Sequence, residues 1–233
     1  MPSPSFFHET QDRMARLPNY YAWICSRFAD HLSGTVLELG CGAGLVLRGY
    51  VDRVERVIAV DLDAGLLERL AGAYPPGKVR ALKADLAGDW RELEGVSADA
   101  IVALDVIEHF EDDAAFVRKL KRHLKPGGKV VLKVPAQSRL YGEIDRASGH
   151  FRRYDADELR ALMERHGFRT LSLRPMNAAG AWAYRFKRGR RSSFSQTFSP
   201  ARLRVVNALI PLLALLDRVP GLKGLSLVGV FGT

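Results

Sequence analysis

The sequence contains few cysteines and no repeated or low-complexity segment. Its 233 residues include only Cys25 and Cys41, which argues against a disulfide framework and against the paired spacing of a cysteine metal site. With 47% hydrophobic and 26% charged residues, the composition is typical of a folded globular chain and not of a disordered one. We therefore expect a reducing, cytoplasmic setting and no metal site.

Long apolar runs are also missing at the start of the chain. Residues 1–11 contain no such run, so we expect no signal peptide and no membrane span there. A later apolar stretch at 203–219 is shorter than the roughly 20 residues that cross a bilayer. Asn207, Pro211 and Asp217 interrupt it further. These absences predict a cytoplasmic protein, with a peripheral position at the inner membrane face as the alternative.

Acidic residues are missing from one stretch of a chain that is basic overall. The net charge is +9, and the stretch 185–204 carries seven cations and no acid. Its cations are Arg185, Lys187, Arg188, Arg190, Arg191, Arg202 and Arg204. Such a stretch is either a solvated loop or a surface for an acidic partner, which could be nucleic acid, an anionic membrane or a phosphorylated substrate. The charge pattern alone leaves these alternatives open.

Apolar strand-like segments alternate with segments of helical periodicity along most of the chain. The predicted strands are 35–39, 54–60, 79–84, 98–104, 129–134, 168–173 and a closing strand at 225–231. The predicted helices are 18–32, 44–51, 64–73, 112–124 and 156–165, the last with a capping box formed by Asp155 and Glu158. This alternation indicates a parallel sheet with helices on both faces, a doubly wound, Rossmann-like α/β fold.

The first predicted strand runs directly into a turn with alternating glycines, which reads E-L-G-C-G-A-G over residues 38–44. Glycine lets the backbone adopt positive φ and approach a ligand closely, because it has no Cβ. The turn lacks the last glycine of the dinucleotide fingerprint and the Lys-Ser/Thr pair of a P-loop. We interpret it as a cradle for a different nucleotide-containing cofactor.

Acidic residues close three successive predicted strands. Asp61 ends the second strand, Asp85 follows the third and Asp105 follows the fourth. Ligands of an open parallel sheet bind beyond the carboxyl ends of its strands, so these acids and the glycine turn are expected at one edge. Each acid alone would also fit an ordinary helix cap or turn. The three together, behind the glycine turn, favour a cofactor site.

This series resembles the class I S-adenosylmethionine-dependent methyltransferases of the small-molecule type, similar to those of quinone and lipid pathways. The resembling motifs are E-x-G-x-G-x-G at 38–44, V-D at 60–61, A-D-L at 84–86, L-D-V-I-E-H at 104–109 and L-K-P-G-G at 124–128. The resemblance implies a seven-stranded sheet that is mostly parallel with an antiparallel last strand. It also implies S-adenosylmethionine as the cofactor and a small molecule as the methyl acceptor.

The same resemblance implies which residues contact the cofactor. The set is Tyr20, Glu38, Gly40, Cys41, Gly42, Gly44, Asp61, Leu62, Asp85, Leu86, Leu104 and Asp105. Within it, Glu38 and Gly40 would lie by the methionine and ribose, and Asp61 by the ribose. Asp85 would lie by the adenine, and the carbonyl of Leu104 would face the methionine amine.

Histidine follows the acid of the fourth predicted strand. Methyl transfer needs a base only when the acceptor arrives protonated, and positioning supplies most of the catalysis. His109 is the available neutral base for a hydroxyl acceptor, since an unperturbed histidine has a pKa of about 6.5. The alternative is that His109 only caps or packs a helix start. We predict the catalytic role.

A second constellation follows the fifth predicted strand, in a long polar loop. It consists of His150, Arg152, Arg153 and Tyr154. It resembles an H-x-R-R-Y segment of a subset of the family, and arginine suits a carboxylate or phosphate group. We predict these four residues as acceptor-binding. The alternative is that one arginine fixes the loop by pairing with Asp145 or Asp155.

We expect one methyltransferase domain over residues 1–233. Its core would span about 32–175 and 224–233, preceded by the helix at 18–32, with a helical cap inserted at 176–223. Within the cap, Ser199 and Pro200 mark the start of an apolar helix. That helix is interpreted as a lid over the site, a membrane-surface contact or a dimer interface.

The acceptor is predicted from indirect features. An apolar cap helix beside an arginine-rich segment suits an amphipathic or anionic molecule, lipid-like or quinone-like, and O-methylation is the favoured reaction. A soluble aromatic or sugar metabolite is the alternative. The segment after the fourth strand does not resemble the box of base-amine methyltransferases, so a nucleic-acid substrate is not favoured. A non-catalytic cofactor- or membrane-binding protein is not favoured either, because the cradle is intact, and the oligomeric state is open.

Overall fold

The computed structural model describes residues 4–187 and 199–233, with side chains described for 8–184 and 199–233. The strands are β1 (Thr35–Leu39), β2 (Arg56–Asp61), β3 (Val79–Lys83), β4 (Ala98–Leu104), β5 (Leu124–Pro135), β6 (Arg169–Met176) and β7 (Ser226–Gly232). They form one sheet in the order β3-β2-β1-β4-β5-β7-β6. Strands β1 to β5 pair in parallel, and β7 is antiparallel to both β5 and β6. The predicted seven-stranded, mostly parallel sheet is confirmed.

Helices cover both faces of the sheet. They are α1 (Pro4–Met14), α2 (Pro18–Cys25), α3 (Ala64–Ala71), α4 (Asp113–Arg122), α5 (Glu143–Ala147), α6 (Ala156–Arg165), α7 (Ala178–Lys187) and α8 (Pro200–Leu213). The predicted caps are present: the amide of Asp155 donates to the carboxylate of Glu158 at 2.9 Å, and the Ser199 hydroxyl accepts from the amide of Arg202 at 3.4 Å. Helix starts were therefore readable from local sequence.

Apolar side chains fill both faces of the sheet. On one face, Leu37, Leu39 and Ile101 pack with side chains of α4 and α6. On the other face, Val36 and Val57 pack with side chains of α2 and α3. All five positions of β1 are buried, which accounts for its largely apolar sequence. Because both faces are covered, the strand ends are the parts of the sheet left open to ligands.

Two predicted helices differ from the structure. The prediction of a helix over 44–51 is wrong: this segment forms 3-10 turns at Leu47–Gly49 and Val51–Arg53. Gly44 has φ of +68°, outside the helical region, and the buried ring of Tyr50 packs against Phe28, so tertiary packing sets the path. The helix predicted over 18–32 ends at Cys25, and a separate 3-10 turn follows.

Two polar residues fix the apolar segment around α8 to the rest of the protein. The side-chain oxygen of Asn207 accepts from the backbone amide of Asn19 at 2.9 Å, and the Asn19 side chain donates back to the carbonyl of Asn207 at 2.9 Å. The buried carboxylate of Asp217 accepts from Arg27 at 2.6 Å and from two amides at the start of α7. Asn207 and Asp217, which interrupt this apolar stretch, therefore attach it to the protein together with the buried Leu203 and Ile210.

The structure describes only part of the basic stretch. Arg202 and Arg204 are exposed on α8, whereas Arg188, Arg190 and Arg191 and the side chains of Arg185 and Lys187 lie outside the described residues. Within the described ranges, every helix is too short or too polar to span a bilayer.

Replacing Asp217 tests its role as an attachment point. We expect Asp217→Ala to lower the free energy of unfolding by about 3 kcal/mol, because removal leaves the partner charge of Arg27 uncompensated and largely buried. Urea unfolding followed by circular dichroism measures this. The matched control is Asp157→Ala, which removes an exposed ion pair with Arg160 and should change stability little. Equal effects of the two substitutions would contradict this role.

Candidate functional site

The glycine turn after β1 adopts backbone conformations that suit only glycine. Gly40, Gly42 and Gly44 have φ of +69°, +52° and +68°. A Cβ on Gly40 would lie 2.7 Å from a methyl group of Val106, and one on Gly44 would lie 2.4 Å from a methyl group of Leu70. The buried Cys41 lies between the first two glycines. The turn therefore keeps its backbone bare at the carboxyl edge, by which we mean the edge where β1 to β5 end.

Asp61 holds this turn against its neighbour. One carboxylate oxygen accepts from the amide of Gly42 at 2.7 Å, and the other accepts from the amide of Asp63 at 3.0 Å. One side chain thus fixes the turn after β1 and the turn after β2. The adjacent Leu62 is 59% exposed, an unusual position for leucine at an edge that is otherwise polar.

The N-terminal helix α1 lies over the same turn. The His8 ring is 2.7 Å from a carboxylate oxygen of Asp63, and the side chain of Gln11 comes within 3.0 Å of the position that a Cβ on Gly42 would occupy. The sequence prediction left this segment without a role, since its first residues show no motif. Its position shows that α1 covers the glycine turn.

Glu38 lies beneath the turn. Its side chain is buried, and the hydroxyl of the fully buried Tyr50 donates to it. Burial raises the pKa of Glu38 to about 7, the Tyr50 hydroxyl opposes this shift, and the charge of Asp61 adds to it. Tyr50 is a site residue that the sequence prediction missed, because its place was assigned to a helix.

Asp85 and Leu86 follow β3 at the same edge. Asp85 is exposed, and its carboxylate accepts from the amide of Ala87 at 2.9 Å. Leu86 is half-buried against the core, and its carbonyl accepts from the Trp90 ring nitrogen at 2.8 Å. The structure thus brings this pair to the carboxyl edge in a local turn.

Asp105 pairs with a buried lysine. Asp105 follows Leu104 at the end of β4 with φ of +55°, and its Oδ1 accepts from Nζ of Lys133 at 2.7 Å. Burial alone would lower the pKa of Lys133, but Asp105 raises it above its ordinary value. Tyr20, on α2, is close enough to this pair for both charges to act on its hydroxyl. The sequence prediction missed Lys133 as a site residue, although a lysine within an otherwise apolar strand was a signal for it.

Arg153 fixes the loop after β5. Its guanidinium is buried, and Nε donates to Asp145 at 2.8 Å while Nη1 donates to the carbonyl of Ala136 at 3.2 Å. The ring of Tyr184 lies 4.6 Å from the same guanidinium. The alternative that an arginine pairs with Asp145 is confirmed, and Arg153 has this loop-fixing role.

Arg152 and Tyr154 join the same loop to α4. Both donate to one carboxylate oxygen of Asp113, at 2.8 Å and 3.1 Å respectively. Tyr154 is buried, whereas the side chain of Arg152 keeps 35% of its surface exposed. A groove of about 800 Å³ adjoins Arg152, with Asp157 and Arg165 of α6 in its wall. Its lining contains both acidic residues and arginines.

His109 and His150 meet at the carboxyl edge. Their rings are 4.7 Å apart between centroids and nearly perpendicular. Nδ1 of His109 is 3.2 Å from the carbonyl of Gly149. Partial burial and the neighbouring His150 lower the pKa of His109 below its ordinary value. The two histidines, which follow different strands, therefore form one cluster that sequence spacing could not show.

Comparison with known proteins places this arrangement in a family. Residues 6–173 match the family model of the methyltransferase domain. A probable S-adenosylmethionine-dependent methyltransferase of Mycolicibacterium smegmatis is 33% identical over 150 residues, which cover 62% of this chain and 56% of the relative. A ubiquinone biosynthesis O-methyltransferase of Xanthomonas oryzae pv. oryzae is 33% identical over 112 residues, 44% of each chain. The chain thus spans about half the length of the curated relatives that it matches.

Solved structures show the same fold. A SAM-dependent methyltransferase of Archaeoglobus fulgidus superposes with a TM-score of 0.65 at 17% sequence identity, covering 99% of this chain and 100% of that one. At such low identity the likeness concerns the fold alone. Together with the match over 6–173 and the glycine turn at the carboxyl edge, it leads to one conclusion: this chain belongs to the class I S-adenosylmethionine-dependent methyltransferases.

Proposed function

We propose that this protein transfers a methyl group from S-adenosylmethionine to an oxygen of a small amphipathic acceptor. The observation that carries the proposal is the glycine turn fixed by Asp61 at the same edge as His109. The glycine turn binds the cofactor, and His109 contacts the acceptor. The match to a relative named as a ubiquinone biosynthesis O-methyltransferase supports the choice of oxygen.

The donor groups at the carboxyl edge fit the cofactor. A Cβ at Gly40 or Gly42 would run into the side chain of Val106 or Gln11, so the turn requires glycine at both positions, and the carboxylate of Asp61 has lone pairs for ribose hydroxyls. Asp85 would accept from the adenine amine, and the carbonyl of Leu104 from the methionine amine. When bound, S-adenosylmethionine supplies a methyl group activated by its sulfonium charge.

His109 is proposed as the group that accepts the acceptor's proton. Its lowered pKa keeps the imidazole neutral at physiological pH, which a base requires. The carbonyl of Gly149, which can only accept, selects the tautomer with the proton on Nδ1. Nε2 is then the nitrogen that can take a proton from a hydroxyl. Positioning by the surrounding loops supplies the remaining acceleration.

The outer surface of the segment around α8 supports an amphipathic acceptor drawn from a membrane. Large apolar side chains are exposed there, with Leu212 64% exposed and Val205 60% exposed. Arg202 and Arg204 lie on the same helix, exposed to solvent. An apolar surface flanked by cations suits the interface of an anionic bilayer. We propose that this surface lies on the membrane from which the acceptor is taken.

Isothermal titration calorimetry tests the cofactor site. We expect S-adenosylmethionine to bind and NAD not to bind, because the turn lacks the dinucleotide fingerprint. Asp61→Asn should weaken binding at least tenfold, because the asparagine side chain has one accepting oxygen and a nitrogen that only donates. The control Asp89→Asn changes an exposed acid paired with Arg91 and should leave affinity unchanged. Binding of NAD without S-adenosylmethionine would refute the cofactor assignment.

A His109→Ala variant tests the proton acceptor. We expect methyl transfer to a prenylated phenol to fall about 100-fold or more, as for loss of a general base. In the unmodified protein, activity should rise with pH through the lowered pKa of His109 and then level off, because the base must be unprotonated. The control is His31→Ala, in the 3-10 turn after α2. Full turnover of His109→Ala at neutral pH would remove His109 from the mechanism.

Vesicle flotation tests the membrane surface. We expect the protein to float with anionic vesicles at low salt and to detach as salt rises, because cations contribute to binding. Leu212→Asp should abolish flotation, since it places a charge in the apolar surface. Leu171→Asp, at an exposed leucine of β6, is the matched control and should float normally. Failure of the unmodified protein to float would favour a soluble acceptor.

A further inference from the structure

Glu108 is buried without a hydrogen-bond partner. Its side chain has no solvent exposure, and neither carboxylate oxygen has a partner among the described residues. Burial of an unpaired carboxylate is costly, and proteins meet that cost with a proton, a paired cation or a metal ion. Glu108 therefore needs a partner that the described residues do not provide: a proton, a cation or a metal ion.

Two histidines share the space around this carboxylate. Glu108, His109 and His150 each place a ligand atom within 4.8 Å of the other two. The first two residues follow β4, and His150 lies in the loop after β5. The amide of Phe151 donates to the carbonyl of Glu108 at 2.8 Å, which holds the loops together. The loops after β4 and β5 thus form the cluster, and a backbone hydrogen bond links them.

Hydrogen bonds orient both rings. Nδ1 of His109 lies 3.2 Å from the carbonyl of Gly149, and Nδ1 of His150 lies 3.4 Å from Oδ1 of Asp145. Asp145 is itself buried and held by Arg153. Such contacts leave Nε2 as the nitrogen that can bind a ligand. A carboxylate or carbonyl behind each histidine is the arrangement that surrounds protein metal sites.

We propose that Glu108, His109 and His150 bind a divalent metal cation. Two imidazole nitrogens and one carboxylate oxygen form a donor set that suits Zn²⁺ or Mn²⁺. Ligand atoms about 2.1 Å from one tetrahedral ion lie about 3.4 Å apart, so the three groups need to close by up to about 1.4 Å. The exposed position of His109 allows this movement. We expected no metal site from the sequence, because the two cysteines lack the spacing of a cysteine metal site. The site proposed here uses a glutamate and two histidines instead.

The cation would act on the acceptor, and this role rests on the proposed function. Three protein ligands leave a coordination position open, and the exposed side of His109 directs it toward solvent. A hydroxyl bound there has a lowered pKa, so its proton passes to water and its oxygen remains as the nucleophile. With the cation bound, Nε2 of His109 would be a metal ligand, and water would replace His109 as the proton acceptor proposed above for the metal-free protein. Loss of activity in His109→Ala is common to both roles, whereas dependence on metal separates them.

Metal titration of the untagged, full-length protein tests the site. After chelator treatment, we expect one equivalent of Mn²⁺ or Zn²⁺ to bind and to raise the melting temperature. Glu108→Gln and His150→Ala should each weaken binding at least tenfold, while His31→Ala should bind normally. A lack of stoichiometric binding, or equal binding by Glu108→Gln, would overturn the site and leave a proton as the partner of Glu108.

A second measurement does not depend on folding of the variants. In proton NMR of the unmodified protein, Mn²⁺ should broaden the ring signals of His109 and His150 at substoichiometric amounts before it affects His31. Broadening of His31 first would overturn the assignment. Methyl transfer that persists in the metal-free protein would refute the role of the cation in the reaction but keep the proposed function. Metal binding without any methyl transfer would keep the metal site but refute the proposed function.

Discussion

The carboxylate of Asp61 is the contact on which the carboxyl edge depends. It accepts from the amide of Gly42 with one oxygen and from that of Asp63 with the other, so two turns share one anchor. Asp63 in turn contacts His8, which brings the N-terminal helix over the glycine turn. A single acidic side chain therefore sets the backbone of the site and, through Asp63, its cover. Glycine adopts these positive-φ conformations without steric strain, and the charge-assisted hydrogen bonds to Asp61 select them among the conformations open to glycine.

Buried polar groups are concentrated at this edge, and most of them are satisfied by partners from other elements. Lys133 pairs with Asp105, Arg153 pairs with Asp145, and Tyr50 donates to Glu38. Satisfied networks of this kind rigidify a site, since breaking any one contact leaves a buried charge. Among the buried carboxylates of the described residues, Glu108 is the exception in leaving both oxygens unpaired. The contrast between Glu108 and its neighbours is the basis for assigning it a ligand.

The segment around α8 packs on the protein through the buried Leu203 and Ile210 as well as through polar contacts, and it exposes further apolar side chains to solvent. Asn207 and Asp217 contact the body of the protein, while Leu212 and Val205 are exposed. Folding alone favours burial of such exposed side chains, because apolar burial is the main stabilising contribution. This exposed apolar surface is the basis on which we propose contact with an amphipathic acceptor or a bilayer.

The sequence by itself determined the sheet, the glycine turn, the acids at strand ends and the capping box at Asp155, because each depends on residues close together in the chain. Tertiary structure alone decided the partner of each buried charge. Lys133 meets Asp105 across 28 positions, and His150 reaches His109 from a different loop. It also decided the path of 44–51, where the buried Tyr50 overrides a weak helical pattern. Contacts between distant residues follow from how strands stack and loops pack, which no local pattern encodes.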